Sequence, residues 1–228
     1  MKWFIRSIAL KISKIFSLDL MLNISGLIAL KNYWTEIKKT PYFKGRIDFW
    51  SYVMSEFTGK KILFLEFGVH KGYSIENFSK MNDNVGTRFI GFDSFEGLPK
   101  NWRNFITYYK KNHFDTGGVI PDIDDKRVSF QKGWFNKTLP EFLNKYPFVE
   151  YDEIIVHLDA DIYSSTFYVM LKLSEKIDKF TIIFDELPGE EARALNDFID
   201  IFESKVKFIA YQSGTSSFPM KVACKFEI

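Results

Sequence analysis

Asp159 follows the apolar run EIIVHL, and Asp185 with Glu186 follows FTIIF, so carboxylates stand at the ends of two segments that read as buried strands. Asp161 lies two residues beyond the first. If the two strands are neighbours, these acids share one place, and two carboxylates about 5 Å apart repel by roughly 3 kcal/mol at an effective dielectric of 20. A cation relieves that repulsion. Oxygen donors without His or Cys suit Mg²⁺ or another hard divalent ion. The competing role is helix capping by Asp161 or Glu186, which accounts for one acid more readily than for all of them.

A second group of residues points to a nucleotide-like ligand. LEFGVHKG (65–72) runs from a strand into a turn, with Gly68 and Gly72 where the backbone bends tightly or approaches a ligand. Asp93 ends the next strand, RFIGFD, placed to accept hydrogen bonds from a ribose diol. A glycine turn after a strand is also often only a turn. The spacing departs from G-x-G-x-x-G, which demotes a nicotinamide-dependent oxidoreductase without excluding it.

The elements that must position these residues alternate. KILFLEFG, RFIGFD, RVSFQKGWF, DEIIVHLD and FTIIFDE read as strands. Helical spacing appears in GRIDFWSYVMSEF, from about Tyr73, and around TLPEFLNKY, YSSTFYVMLKLSEKI and EEARALNDFIDIFES. Such alternation predicts an α/β domain with a mostly parallel sheet, helices on both faces and ligands beyond the carboxyl ends of the strands. KFIAYQ and KVACKF, joined by the polar SGTSSFP, predict a closing antiparallel pair.

Composition narrows the class. With 228 residues, 46% hydrophobic and 26% charged, the chain suits one domain with a large core. A net charge of +2 excludes the strong field of a dedicated nucleic-acid binder. The single cysteine, Cys224, allows no internal disulfide and points to a reducing, cytoplasmic setting. The segment MKWFIRSIALKISKIF carries Lys2, Arg6, Lys11 and Lys14, with no acid before Asp19 and an apolar face opposite most of the bases. Residues 1–40 read as a helical arm ahead of a 41–228 domain. Residues 1–17 fit either peripheral contact with an anionic membrane or a helix that caps the domain or pairs two subunits of a homo-oligomer.

LEFGVHKGYS, FIGFDSFEGLP, FDTGG, KGWFNKTLPEF, HLDADIYSST and FDE follow one another in the order seen in the macrocin O-methyltransferase family, which the chain resembles over residues 62–198. The resemblance implies a class I methyltransferase (Rossmann-like) fold, with a seven-stranded sheet whose last strand is antiparallel, and metal-dependent methyl transfer from S-adenosylmethionine to a sugar hydroxyl. Carried over by position, it puts Glu66, Gly68, Gly72 and Ser74 around the amino-acid part of the donor and Asp93 on the ribose. Ser94 and Phe95 then meet the nucleoside, Gly133 and Trp134 meet the adenine, and Asp159 borders the donor. Asp159, Asp185 and Glu186 fall on the positions that hold the divalent cation, with Asp161 regular in the motif beside them.

A sugar hydroxyl also needs a base. The lysine found three residues after the first metal aspartate in related catechol-type enzymes is Ile162 here. His113, in the loop before FDTGG, is the candidate base, and Asp161 is a second catalytic candidate whose part, metal binding or support of the site, stays open. His157, inside a strand, reads as a satisfied core histidine. The connection 101–125 is long enough for a binding loop, with Trp102, Tyr108 and Tyr109 to stack on a sugar and Lys110 and Lys111 to meet a phosphate, or else to form a solvated helix face. The acceptor is a nucleotide-sugar, a glycan, a glycosylated metabolite or a non-sugar small molecule. A non-catalytic binding module is disfavoured by the intact acids and glycine turns.

Overall fold

The computed structural model describes residues 3, 7, 17–104, 107–214 and 218–228. Most of the basic segment 1–17 lies outside the described residues. The first element with described bounds is α1 (Leu18–Lys38), followed by β1 (Tyr42–Phe43), α2 (Arg46–Ser55), β2 (Ile62–Phe67), α3 (Tyr73–Lys80) and β3 (Arg88–Asp93). A two-residue hairpin, β4 (Trp102–Arg103) and β5 (Tyr108–Tyr109), precedes β6 (Val128–Lys132), α4 (Phe135–Lys145) and β7 (Glu153–Leu158). Then come α5 (Tyr163–Ser174), β8 (Lys179–Phe184), α6 (Ala192–Phe202), β9 (Lys205–Gln212) and β10 (Lys221–Glu227).

The main sheet has eight strands in the order β1-β9-β10-β8-β7-β2-β3-β6. Strand β10 runs antiparallel to both β8 and β9, while β2, β3, β6, β7 and β8 pair in parallel. Seven strands match the sequence expectation, and the eighth corrects it. Tyr42–Phe43 pairs in parallel with Tyr211 and Gln212 and is too short to show a strand period.

The central strands are apolar because both their faces are covered. Every residue of ILFLEF in β2 is buried. Alternation divides them: Leu63, Leu65 and Phe67 join a core with Leu30 of α1, Leu139 of α4, Val169 of α5 and Phe198 of α6. Ile62 and Phe64 face a second core with Trp50 of α2 and Phe78 of α3. Helix α1 is part of this packing. A Cβ on its Gly26 would lie 1.6 Å from the carbonyl oxygen of Gly189, in the kinked segment Leu187–Glu191 that leads into α6. Among the described residues, no helix is long and apolar enough to cross a membrane.

From β2 the chain moves through β3 to β6 on one side, and then from β7 to β8 on the other. This reversal leaves a crevice beyond the carboxyl ends of β2 and β7, where open α/β sheets bind ligands.

Candidate active site

A cavity of about 540 Å³ opens at that crevice, within the range of small-molecule sites. Gly68 and His70 after β2, Asp93 and Ser94 at the end of β3, and Trp134 at the start of α4 form one part of its wall. Asp159 and Asp161 after β7, with Ser164 and Tyr168 of α5, form another. The strand ends are stitched together there: Gly68 N donates to Phe92 O at 3.0 Å, and Asp159 N donates to Phe67 O at 2.9 Å. Gly68 has φ +95°, and a Cβ on it would lie 2.0 Å from Asp159 O, so the close approach of these two turns requires glycine.

Asp93 organises the neighbouring turn. Its Oδ2 accepts from the amides of Val69 and His70, both at 2.8 Å, and its Oδ1 accepts from Phe95 N at 2.7 Å. His70, Phe95 and Asp161 all have positive φ, at 52°, 59° and 59°. Non-glycine residues held in that region cost on the order of 1–3 kcal/mol each. All three follow carboxyl ends of strands that border the cavity.

The structure assembles much of the expected donor-binding set and separates the rest from the wall. Gly68, Asp93, Ser94, Trp134, Asp159 and Asp161 line the cavity. Gly72, at φ +80°, caps the start of α3 and faces Pro121 and Ile123, while Ser74 is buried in the first turn of that helix. Phe95 is fully buried in the second core, against Phe130. Gly133, at φ +142°, makes the turn that presents Trp134. The side chain of Glu66 projects into the second core, where its Oε1 lies 2.7 Å from His157 Nδ1. His157 Nε2 is in turn 3.5 Å from Asp185 Oδ1, so the core histidine is partnered.

Carboxylates do gather beside the cavity. Burial, and then the nearby Asp185, push the pKa of Asp159 up to about 8. Burial, then Asp159 and Glu186, drive the carboxyl of Asp161 well above its usual range. Burial and Asp185 also raise Glu186. Burial would raise Asp185 as well, but the imidazole of His157 3.5 Å away and the nearby Lys221 ammonium outweigh burial and hold it well below the ordinary range. Lys221, at the start of β10, bonds to both the carboxylate and the carbonyl of Asp185.

Neither Asp161 nor Glu186 forms a helix-capping hydrogen bond. The amide of Tyr163 at the start of α5 is taken by Glu190 at 2.7 Å. Glu190 and Glu191 are additional buried acids that the sequence reading passed over as part of a helix. Their signal was two adjacent carboxylates ahead of an amphipathic run. Lys221 was missed too, since a lysine opening the strand KVACKF gives no sign of the acid it meets.

Asp159, Asp185 and Glu186 offer oxygen donors at the ends of the adjacent strands β7 and β8, the donor type a hard divalent cation takes. As the side chains stand, however, no three His, Cys, Asp or Glu groups among the described residues converge on one metal position.

His113 packs on Tyr109 and Phe114, each at a ring-centroid distance of 4.8 Å, and is not among the residues of the cavity wall. Trp102 is buried and stacked on Tyr109 at 5.1 Å, so it serves the hairpin rather than standing open to a ligand, whereas Tyr108 is about half exposed. Lys110 and Lys111 are exposed in the segment after the hairpin, not on a helix.

A mostly parallel sheet with an antiparallel last strand, and a glycine turn and acidic cavity at the carboxyl ends of its central strands, define a class I methyltransferase. The family described as macrocin O-methyltransferase (TylF) matches residues 60–207, and the chain belongs to it. It is an S-adenosylmethionine-dependent O-methyltransferase. An O-methyltransferase from Bacillus cereus, solved in complex with SAH, is similar in fold, with a TM-score of 0.53 and 14% identity over 90% of this chain and 91% of that one. A provisionally described O-methyltransferase from Klebsiella pneumoniae has a TM-score of 0.51 and 14% identity over 91% and 89%. No curated protein matches the chain in sequence.

Proposed function

We propose that the protein methylates a sugar hydroxyl, with S-adenosylmethionine in the 540 Å³ cavity and the acceptor oxygen beside Asp161. The observation that carries the donor side of this reading is the composition of one wall, where a glycine turn at Gly68, the Asp93 carboxylate, the Trp134 ring and the Asp159–Asp161 pair border a single space. The sugar acceptor rests on the match to the macrocin O-methyltransferase family. When bound, S-adenosylmethionine supplies a methyl group made electrophilic by its sulfonium. The chain must then hold the donor, align the acceptor and take a proton.

Three backbone amides fix the Asp93 carboxylate, which can still accept hydrogen bonds from a ribose diol. Trp134, 37% exposed, offers a face for the adenine. Alignment of the acceptor contributes about 7–11 kcal/mol. Asp161 is favoured over His113 as the base because it borders the cavity, whereas His113 packs on Tyr109 and Phe114 and is not part of its wall. The acceptor oxygen gains the methyl group and its proton passes to the Asp161 carboxylate. A hard divalent cation held by Asp159, Asp185 and Glu186 would stabilise the acceptor in its alkoxide form.

Calorimetry with S-adenosylhomocysteine, with and without Mg²⁺ and with NADH as competitor, tests the donor assignment. Binding that NADH leaves untouched is expected, and displacement by NADH would return the site to an oxidoreductase. D161N should lose roughly 100-fold or more in turnover while keeping its affinity for S-adenosylhomocysteine. Near-normal turnover in D161N together with a comparable loss in H113Q would move the base to His113.

A further inference from the structure

Helix α1 is apolar on two sides over its first three turns. The inner side, with Gly26, Ala29 and Leu30, is buried against the domain. On the outer side Leu18, Met21, Ile24 and Ile28 are 71%, 39%, 37% and 59% exposed. Their spacing keeps them along one flank, over a length of about 15 Å at 1.5 Å per residue. Further along α1 the exposed positions turn polar, with Lys31, Thr35 and Lys38. A single exposed Leu needs no explanation, but a continuous apolar row does.

Two observations say what covers it. The segment that leads into α1 carries Lys2, Arg6, Lys11 and Lys14 and no acid before Asp19, so the sequence running into the apolar end of the helix is basic. Asp19 itself pairs with Lys100 at 3.6 Å. Basic charge beside an exposed Leu/Ile/Met row is the pattern of an interfacial helix on an anionic bilayer. The row also lies at the working end of the protein. Asn23 of α1 donates to Arg103 O of the hairpin at 3.0 Å, and Lys100 directly follows Pro99, which lines the cavity.

We propose that the outer face of α1, from Leu18 to Ile28, together with the basic segment before it, is a docking surface for an anionic lipid bilayer. The surface does not depend on the methyl-transfer reading, so the two fail separately. The test is flotation of the full chain with vesicles of phosphatidylcholine alone or of phosphatidylcholine mixed equally with phosphatidylglycerol. Wild-type protein should float with the mixed vesicles, release as salt rises, and bind the neutral ones at least tenfold less. The triple variant M21S/I24S/I28S should bind the mixed vesicles at least tenfold less while keeping wild-type affinity for S-adenosylhomocysteine, which reports on folding. Because charge and apolar contact act together here, K11E/K14E, which leaves α1 intact, should show a comparable loss.

Equal flotation of wild type and both variants would overturn the proposal, as would a wild type that binds neither vesicle. Sedimentation of lipid-free protein supplies another overturning result. A dimer that the triple variant abolishes would make the row a contact between two copies.

Discussion

Glu66, His157, Asp185 and Lys221 form a buried chain of alternating charge that runs from β2 through β7 and the end of β8 to β10. Glu66 and His157 face each other in the parallel register, and both are fully buried. Burial opposes the charged imidazole, yet the carboxylates of Asp185 and Glu66 on its two sides outweigh it and raise the pKa of His157 from 6.5 to about 10. A group raised on folding contributes stability that is fully present below its unfolded pKa and lost as pH rises through the folded value. Wild-type stability from this source should therefore decline between about pH 6.5 and about pH 10. H157L should lose about 3 kcal/mol near neutral pH, because an uncompensated carboxylate is left in the core. It should also lack that alkaline decline in denaturant titrations. The E66Q/H157L double variant should lose less than the sum of its single changes, and additive losses would show that the pair is not coupled. The acids of this region were legible because each ends an apolar run, as Asp93, Asp159 and Asp185 do. Lys221 was not, since its partner lies 36 residues away and is reached only once the antiparallel strand is placed beside β8.

At the scale of elements, the parallel strands were legible from unbroken apolar runs, and the last pair from the polar turn between them. Helix α1 was harder to place. Its apolar residues point both inward and outward, so no single face declares itself, and what fixes it to the domain is a backbone approach at Gly26 and Gly189. Gly189, at φ +109°, belongs to a kink that an EEARAL-type helical pattern conceals. G26A should push α1 away from that kink and destabilise the fold by about 1–3 kcal/mol, as overpacking does. At roughly 2–4 °C per kcal/mol for a chain of this size, the melting temperature should fall by about 2–12 °C. An unchanged melting temperature would mean that α1 slides to accommodate the methyl group at no cost. The hairpin of β4 and β5 was hidden in the same way as the edge strand β1: two-residue strands have no period, and only the pairing of Trp102 with Tyr109 makes them visible.

For the whole molecule, the decisive feature is that one sheet serves both cores and the cavity together. Successive residues of β2 and β7 enter opposite cores, and the turns that follow the same strands line the site. A ligand at those turns therefore stabilises the sheet on which both cores depend, and unfolding should remain one transition that moves as a unit. S-adenosylhomocysteine at 100 times its dissociation constant should add about 2.7 kcal/mol. That corresponds to a rise of about 5–11 °C in a thermal melt for a domain of this length. Replacing Asp93 with Ala should remove most of the rise, because the carboxylate both borders the cavity and ties down the amides of Val69, His70 and Phe95. The same change should also lower the melting temperature of the free protein, so the informative quantity is the ligand-induced increment within each variant. An increment as large in D93A as in wild type would place the donor elsewhere, and two separate transitions in the ligand-bound protein would show that the cores do not share the sheet's stability.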